Sequence, residues 1–130
     1  MQSCVLDIQE EQAMRDPIFA AIEICRRARS FHYNLLAQAE AIARDPNATK
    51  AQRAKIITLG DRGARADVDA LVKLADTAPT TRAGVLALLA FVREQYDGGD
   101  DLTGRMGDSE GPLAIKFMGS VEKYLSAKAA

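Results

Sequence analysis

The side chains best suited to acid/base chemistry at neutral pH lie on one predicted helix near the start of the chain. His32 is the only histidine among 130 residues, and it follows Cys25 by seven positions. Nucleophilic catalysis needs a thiol and its base within about 3 Å, whereas seven helical residues separate the two by about 10.5 Å. We therefore predict a histidine at the edge of the core, hydrogen-bonded across a helix pair, and a small buried cysteine. No catalytic residue is predicted.

Arg29 lies on the same predicted helix, at the margin of the apolar stripe that contains Cys25 and His32. Its guanidinium has two alternatives: it extends outward over apolar neighbours, or it pairs with a buried carboxylate or an anionic ligand. Outward extension is favoured. If Arg29 and His32 both faced a cavity, they would form a small anion site, and this pair is the candidate ligand-binding site that the sequence offers.

Two glycine-containing segments were compared with known binding loops. Residues 97–111 hold five glycines and five acids. A calcium loop starting at residue 97 would have Leu102 where the turn glycine belongs and Asp108 in place of the final glutamate. Residues 60–63 lack both a preceding strand and the Gly-Lys-Ser/Thr ending of a phosphate-binding loop. The sequence therefore predicts no metal site and no cofactor.

The charge of the chain is nearly balanced in total but unevenly distributed. Seventeen Lys and Arg residues oppose 18 Asp and Glu residues, for a net charge of -1. Residues 26–65 contain nine basic and three acidic residues, or +6, which leaves -7 for the rest. Whole domains that bind nucleic acid are usually strongly basic, so nucleic-acid binding is not favoured. Binding of a small anion or nucleic acid through residues 26–65 is kept as the alternative function.

Composition predicts an ordinary globular domain in a reducing compartment. The chain is 48% hydrophobic and 27% charged, which is typical of a folded domain. Two cysteines are too few for a secreted disulfide framework. No apolar run approaches the roughly 18 residues of a membrane helix, and Asp7, Glu10 and Glu11 lie where a signal peptide would carry basic residues. We therefore expect a cytoplasmic location and no membrane contact.

Two long helices are predicted in the first 77 residues. The first begins at Asp16-Pro17, since aspartate accepts from the free amides of a first turn and proline suits the first helical position. The second covers residues 50–77, with a stripe that includes Ile57 and Val68. Gly60 and Gly63 weaken its middle, and a kink or break there is favoured over a close approach of another backbone.

Two shorter helices complete the predicted fold. One follows the Pro-Thr-Thr turn at residues 79–81 and has apolar side chains around most of its circumference, so we expect it to pack centrally. The other follows Pro112. The prediction is an all-α, four-helix bundle-like fold with a long N-terminal helical hairpin. Residues 1–15 would form an arm, either partly disordered or a short helix, and residues 16–130 a single domain that contains the acidic loop 97–111.

Two motifs give the chain a resemblance to a known group of proteins. The motifs are D-P-I-F-A-A-I-E at residues 16–23 and P-T-T-R-A-G-V-L-A-L-L at residues 79–89. Together they resemble a family of small all-helical bacterial proteins of unknown function. The resemblance implies a helical hairpin before the second motif, then a polar loop and a terminal helix. Members commonly carry a His-Arg pair after the first motif, where this chain has Cys25-Arg26.

The length of the first helix suggests an interaction role. About 29 helical residues span roughly 43 Å, which exceeds the compact size of a domain of this length. We therefore expect a non-enzymatic helical interaction module that self-associates as a homodimer or a larger oligomer. The opposed charges of residues 26–65 and of the acidic loop also permit pairing between neighbouring copies.

Overall fold

The computed structural model describes residues 15–97 and 113–129. Four helices occupy these stretches, and we number them in chain order: α1, Pro17–Arg44; α2, Lys50–Ala75; α3, Arg82–Asp97; α4, Leu113–Ala129. No strand occurs within the described ranges. The predicted all-α, bundle-like fold class is confirmed, with two long helices followed by two shorter ones.

Two parts of the predicted domain organisation lie largely outside the described residues. These are the N-terminal arm at residues 1–15 and the acidic loop at residues 97–111, of which only the edge residues are described. The described chain forms two compact units. We call residues 23–71 the hairpin unit, and residues 15–22, 72–97 and 113–129 the terminal unit. The single domain over residues 16–130 stays a prediction.

Local capping interactions explain where the long helices begin. Asp16 Oδ1 accepts a hydrogen bond from the Ile18 amide at 3.1 Å, which satisfies a free donor in the first turn of α1. At the start of α2, the Thr49 hydroxyl accepts from the Gln52 amide at 3.0 Å, and Gln52 Oε1 accepts from the Thr49 amide at 2.8 Å. This reciprocal arrangement is a capping box. Such signals are local, so the sequence predicted both starting points.

The buried face of α2 agrees with the predicted stripe at Leu71 and Ala75 but differs from it in the first half of the helix. Ile56 is buried, whereas Ile57 is 64% exposed. The buried stripe continues through Gly63 and Asp67 to Leu71. A stripe built from apolar residues alone omits the glycine and the aspartate. The predicted stripe is therefore displaced by one position, from Ile56 to Ile57.

The terminal unit buries only part of the surface of α3. Its core includes Ile18, Leu88, Phe91 and Phe117, and all four are at most 3% exposed. Leu86 and Leu89, by contrast, are about half exposed. The predicted central packing of α3 is therefore wrong. An apolar circumference shows that a helix has surface to bury, but it does not supply neighbours on every side.

The predicted break in α2 is also wrong, because the helix runs unbroken through both glycines. Gly63 instead allows a close approach, which was the alternative explanation. A Cβ atom there would lie 2.7 Å from Leu35 Cδ1 and 3.5 Å from His32 Cα. At Gly60 nothing lies within 4 Å of such an atom. One glycine is thus needed for packing, while the other is tolerated.

We expect opposite results from alanine at the two glycines. Gly60→Ala should stabilise the protein by about 0.5–1 kcal/mol, because alanine is the better helix former and meets no neighbour. Gly63→Ala should destabilise it, because the new methyl group displaces the buried Leu35 side chain. Urea unfolding followed by circular dichroism measures both free energies. Equal effects of the two substitutions would contradict the close approach at Gly63.

Candidate functional site

A buried carboxylate lies at the centre of the hairpin unit. The Asp67 side chain is 2% exposed, and each of its oxygens accepts one hydrogen bond. Oδ1 accepts from Arg29 Nε at 3.1 Å, and Oδ2 accepts from His32 Nδ1 at 3.0 Å. We call these three residues, together with Cys25, the Asp67 cluster.

The helix geometry explains why these side chains meet. Arg29 and His32 are three residues apart on α1, so they share one face. On α2, Gly63 lies four residues before Asp67 and brings the α2 backbone close to His32 Cα. The close approach lets a short aspartate side chain reach across the helix pair. Because a buried charge without a partner is strongly destabilising, the cluster holds the two helices in one register.

The structure brings the two predicted ligand-binding residues together, but onto a carboxylate of the same chain. The outward extension predicted for Arg29 is wrong: its side chain is 5% exposed and pairs with Asp67, as in the alternative. The predicted hydrogen bond of His32 across a helix pair is confirmed. Asp67 thereby occupies Arg29 Nε and His32 Nδ1. Anion binding by this pair stays a prediction.

Cys25 belongs to the cluster as a neutral, buried thiol. It is fully buried, and its Sγ donates to the Ala70 carbonyl oxygen at 3.1 Å. Burial, and secondarily the charge of Asp67, raise its pKa from 9.0 to about 11, while Arg29 acts in the opposite direction. Reactive cysteines have lowered pKa values. Because His32 is bonded to Asp67, Cys25 and His32 do not form an activated nucleophile pair.

A second buried carboxylate organises the terminal unit. Asp16 is 1% exposed, and while Oδ1 caps α1, Oδ2 accepts from the Thr80 and Thr81 amides at 3.0 Å and from the Thr81 hydroxyl at 2.7 Å. The Thr81 hydroxyl in turn accepts from the Gly84 amide at 3.0 Å, which caps α3. A Cβ atom at Gly84 would overlap Asp16 Oδ2. The two sequence motifs at residues 16–23 and 79–89 are therefore in direct contact.

Sequence reasoning missed Asp67 and the long-range role of Asp16. A signal for the first was present, because Ile56, Gly63, Asp67 and Leu74 follow each other at spacings of seven, four and seven residues. That periodicity places the aspartate on a buried helix face. A charged residue in such a position requires a partner, and Arg29 was the available cation of the facing stripe. No comparable signal exists for Asp16, since its contacts lie 64 and 65 residues away.

The structure does not gather the basic residues of segment 26–65 into one site that it describes. Arg29 is used in the interior. Arg27 and Arg44 form exposed pairs with carboxylates one turn earlier in α1, and Arg53 Nη2 donates to the Asp45 carbonyl oxygen at 2.9 Å. Exposed pairs of this kind contribute little to stability. Anion or nucleic-acid binding by this segment stays a prediction.

Comparisons with protein-family models, curated proteins and solved structures find no match to this chain. The resemblance to the small bacterial family therefore stays a prediction, and no function is transferred from a relative. Within the described ranges, no three His, Cys, Asp or Glu side chains are grouped so that they could hold a metal ion. None of the described helices is long and apolar enough to cross a membrane.

Removal of the Asp67 charge should be strongly destabilising. Asp67→Asn removes a charged hydrogen-bond partner of the buried Arg29 guanidinium, and we expect the free energy of unfolding to fall by about 1.5–3 kcal/mol. The matched control is Asp69→Asn on the exposed side of the same helix, with an expected change below about 0.5 kcal/mol. Urea unfolding measures both. A similar small change in the two variants would show that the ion pair does not stabilise the hairpin unit.

The buried thiol predicts a loss of stability in alkaline solution. A thiol whose pKa is raised in the folded protein favours folding below pH 9.0, and that contribution is lost as the pH rises from 9.0 to about 11. The free energy of unfolding should fall by up to about 2–3 kcal/mol over this range. Other groups titrate there too, so the measurement is the difference between the wild type and Cys25→Ala. Parallel pH profiles of the two proteins would contradict a raised pKa at Cys25.

Proposed function

We propose that this chain is a helical self-association module whose interface lies on α3 and α4 of the terminal unit. The observation that supports this is an apolar groove of about 360 Å³ between the two helices. Its lining consists of Leu88, Leu89, Val92, Phe117, Met118, Val121 and Glu122. Exposed side chains on the same two helices extend its apolar surface; these are Leu86, Ile115 and Leu125. We call the groove and these side chains the α3/α4 face.

The amount of exposed apolar surface favours an interaction. Five large side chains of the α3/α4 face are between 49% and 63% exposed: Leu86, Leu89, Ile115, Met118 and Leu125. Soluble monomers rarely expose continuous apolar patches beyond a few hundred Å². Among the described residues that line the groove, Glu122 alone is charged. Depletion of charge is characteristic of the centre of protein interfaces.

A second copy of the chain is the occupant that fits this face. Two-fold symmetric contacts require one surface to be complementary to itself. The α3/α4 face has both a groove and projecting side chains, of which Leu89 and Met118 lie in the lining itself. Projections of one copy can therefore fill the groove of another. The long helix α1 also exposes Ile24 and Phe31, but on α3 and α4 the exposed residues border a groove.

The expected affinity is moderate. Burial of a large, half-exposed apolar side chain contributes roughly 0.8–1.5 kcal/mol, half the value for full burial. For five such side chains on each of two copies, the gross gain is roughly 8–15 kcal/mol. Association costs about 4–15 kcal/mol in lost freedom of motion. The net gain can therefore reach about 11 kcal/mol, and the roughly 8 kcal/mol of a micromolar dissociation constant lies within this limit, so we expect a concentration-dependent equilibrium.

The oligomeric state tests this proposal. Light scattering after size-exclusion chromatography should show the wild type changing from monomer to dimer as its concentration rises through the micromolar range. Leu89→Glu, which places a charge in the groove, should shift this transition at least tenfold upward in concentration, because a charge must lose its water on association. Ile57→Glu is the matched control, since Ile57 is also a large exposed apolar residue but lies on α2 of the hairpin unit.

Two outcomes would contradict the proposal. A wild-type protein that stays monomeric at every concentration would overturn self-association itself. If Ile57→Glu dissociated the protein while Leu89→Glu did not, the interface would lie on another surface. Circular dichroism of each variant establishes that it remains folded.

A further inference from the structure

A polar cleft of about 430 Å³ lies elsewhere in the terminal unit, lined by Arg15, Thr80, Thr81, Arg82, Tyr124 and Lys128. We call it the basic cleft. We propose that it binds the phosphate group of a small phosphate monoester, with the organic part of that molecule in an adjoining apolar cleft. This inference is independent of self-association, because no residue that the structure describes lines both the basic cleft and the groove between α3 and α4.

Three cations from separate parts of the chain converge on the basic cleft. Arg15 precedes α1, Arg82 opens α3, and Lys128 belongs to the last turn of α4. None of the three forms an ion pair with a carboxylate among the described residues. Lys128 Nζ lies over the Tyr124 ring, 5.9 Å from its centroid. Since like charges placed together are unfavourable, an anion in the cleft would relieve their repulsion. Arginine in particular suits the planar, two-pronged recognition of phosphate oxygens.

The nearby Asp16 does not cancel this charge. Its carboxylate is 1% exposed, and Oδ2 already accepts from the Thr80 and Thr81 amides and from the Thr81 hydroxyl. Three cations against one carboxylate leave a net charge of +2. Because Asp16 also takes the free amides before α3, the proposal rests on the basic side chains and not on the terminus of that helix.

The adjoining cleft indicates which kind of phosphate compound would bind. It measures about 380 Å³ and shares Thr80, Tyr124 and Lys128 with the basic cleft. Its remaining lining is mostly apolar, with Ala78, Pro79 and Ala127, and it includes Lys123. Each cleft has the size of a small-molecule pocket. A ligand with phosphate at one end and an apolar or aromatic body at the other would occupy both, and its body would pack near the Tyr124 ring.

Titrations of the full chain with three probes test the inference. Phenyl phosphate should bind saturably at one site per chain, inorganic phosphate should bind more weakly, and phenol should not bind measurably. Isothermal titration calorimetry gives the affinities. Amide shifts in nitrogen-15 NMR spectra of the 14.1 kDa chain locate the site and should change most at residues 80–82 and 124–128.

Single substitutions separate the two clefts. Arg82→Gln and Lys128→Gln should each weaken phenyl phosphate binding about tenfold, because each removes a charged hydrogen-bond donor. Arg65→Gln is the matched control, since it removes an equal charge from an exposed position in the hairpin unit and should leave the affinity unchanged. Tyr124→Leu should reduce the preference for phenyl phosphate over inorganic phosphate without weakening inorganic phosphate itself.

Several results would overturn the inference. One is the absence of saturable phenyl phosphate binding; another is equal weakening by Arg65→Gln and Arg82→Gln, which would indicate unspecific attraction to an adventitious ion only. Length-dependent binding of single-stranded oligonucleotides, without binding of phenyl phosphate, would replace the small-molecule site by a surface for polyanions. Phenol binding as tight as that of phenyl phosphate would show that the cations do not contribute.

Discussion

A carboxylate that leaves water must find positive charge or hydrogen-bond donors where it is buried, and both units of this protein are arranged around that requirement. In the hairpin unit, Asp67 receives Arg29 and His32 from the facing helix. In the terminal unit, Asp16 receives the amides and hydroxyl that begin α3. Each aspartate thereby connects segments far apart in the chain. The apolar side chains around each aspartate must therefore pack so that these hydrogen-bond distances are kept.

Both carboxylates depend on a nearby glycine. Gly63 lets the α2 backbone come close to α1 one turn before Asp67, and Gly84 leaves the space that Asp16 Oδ2 occupies. Aspartate is short, so its reach to a facing segment is limited, and the absence of a side chain at the glycine provides the necessary approach: Gly63 lies on the same helix as Asp67, and Gly84 on the segment that faces Asp16. The destabilising effect of a glycine within a helix is offset here by a satisfied buried charge. At Gly60 nothing lies within 4 Å of an added Cβ atom, so the helix tolerates this glycine without requiring it.

The side chains best suited to acid/base or nucleophilic chemistry are held in the protein interior. The surfaces available for function therefore lie elsewhere. Cys25 is a buried, protonated thiol, and His32 is held by Asp67. The terminal unit presents two other surfaces, an apolar groove and a basic cleft. On α4 they occupy different positions along the helix axis, since Phe117 in the groove and Tyr124 in the cleft are seven residues, or about 10.5 Å, apart. Self-association and ligand binding therefore need not compete for one surface.

The sequence alone determined the helices and most of the buried face of α1, because capping residues, prolines and apolar periodicity act over a few neighbouring residues. Only the tertiary structure decided the partner of Arg29, the buried face in the first half of α2 and the exposure of Leu89. Asp67 lies 38 residues from Arg29, so their pairing depends on how the two helices pack. A prediction of buried positions from apolar residues alone omits a glycine or a paired aspartate in the core. Such residues are stable there only because of the side chains that face them across the helix pair.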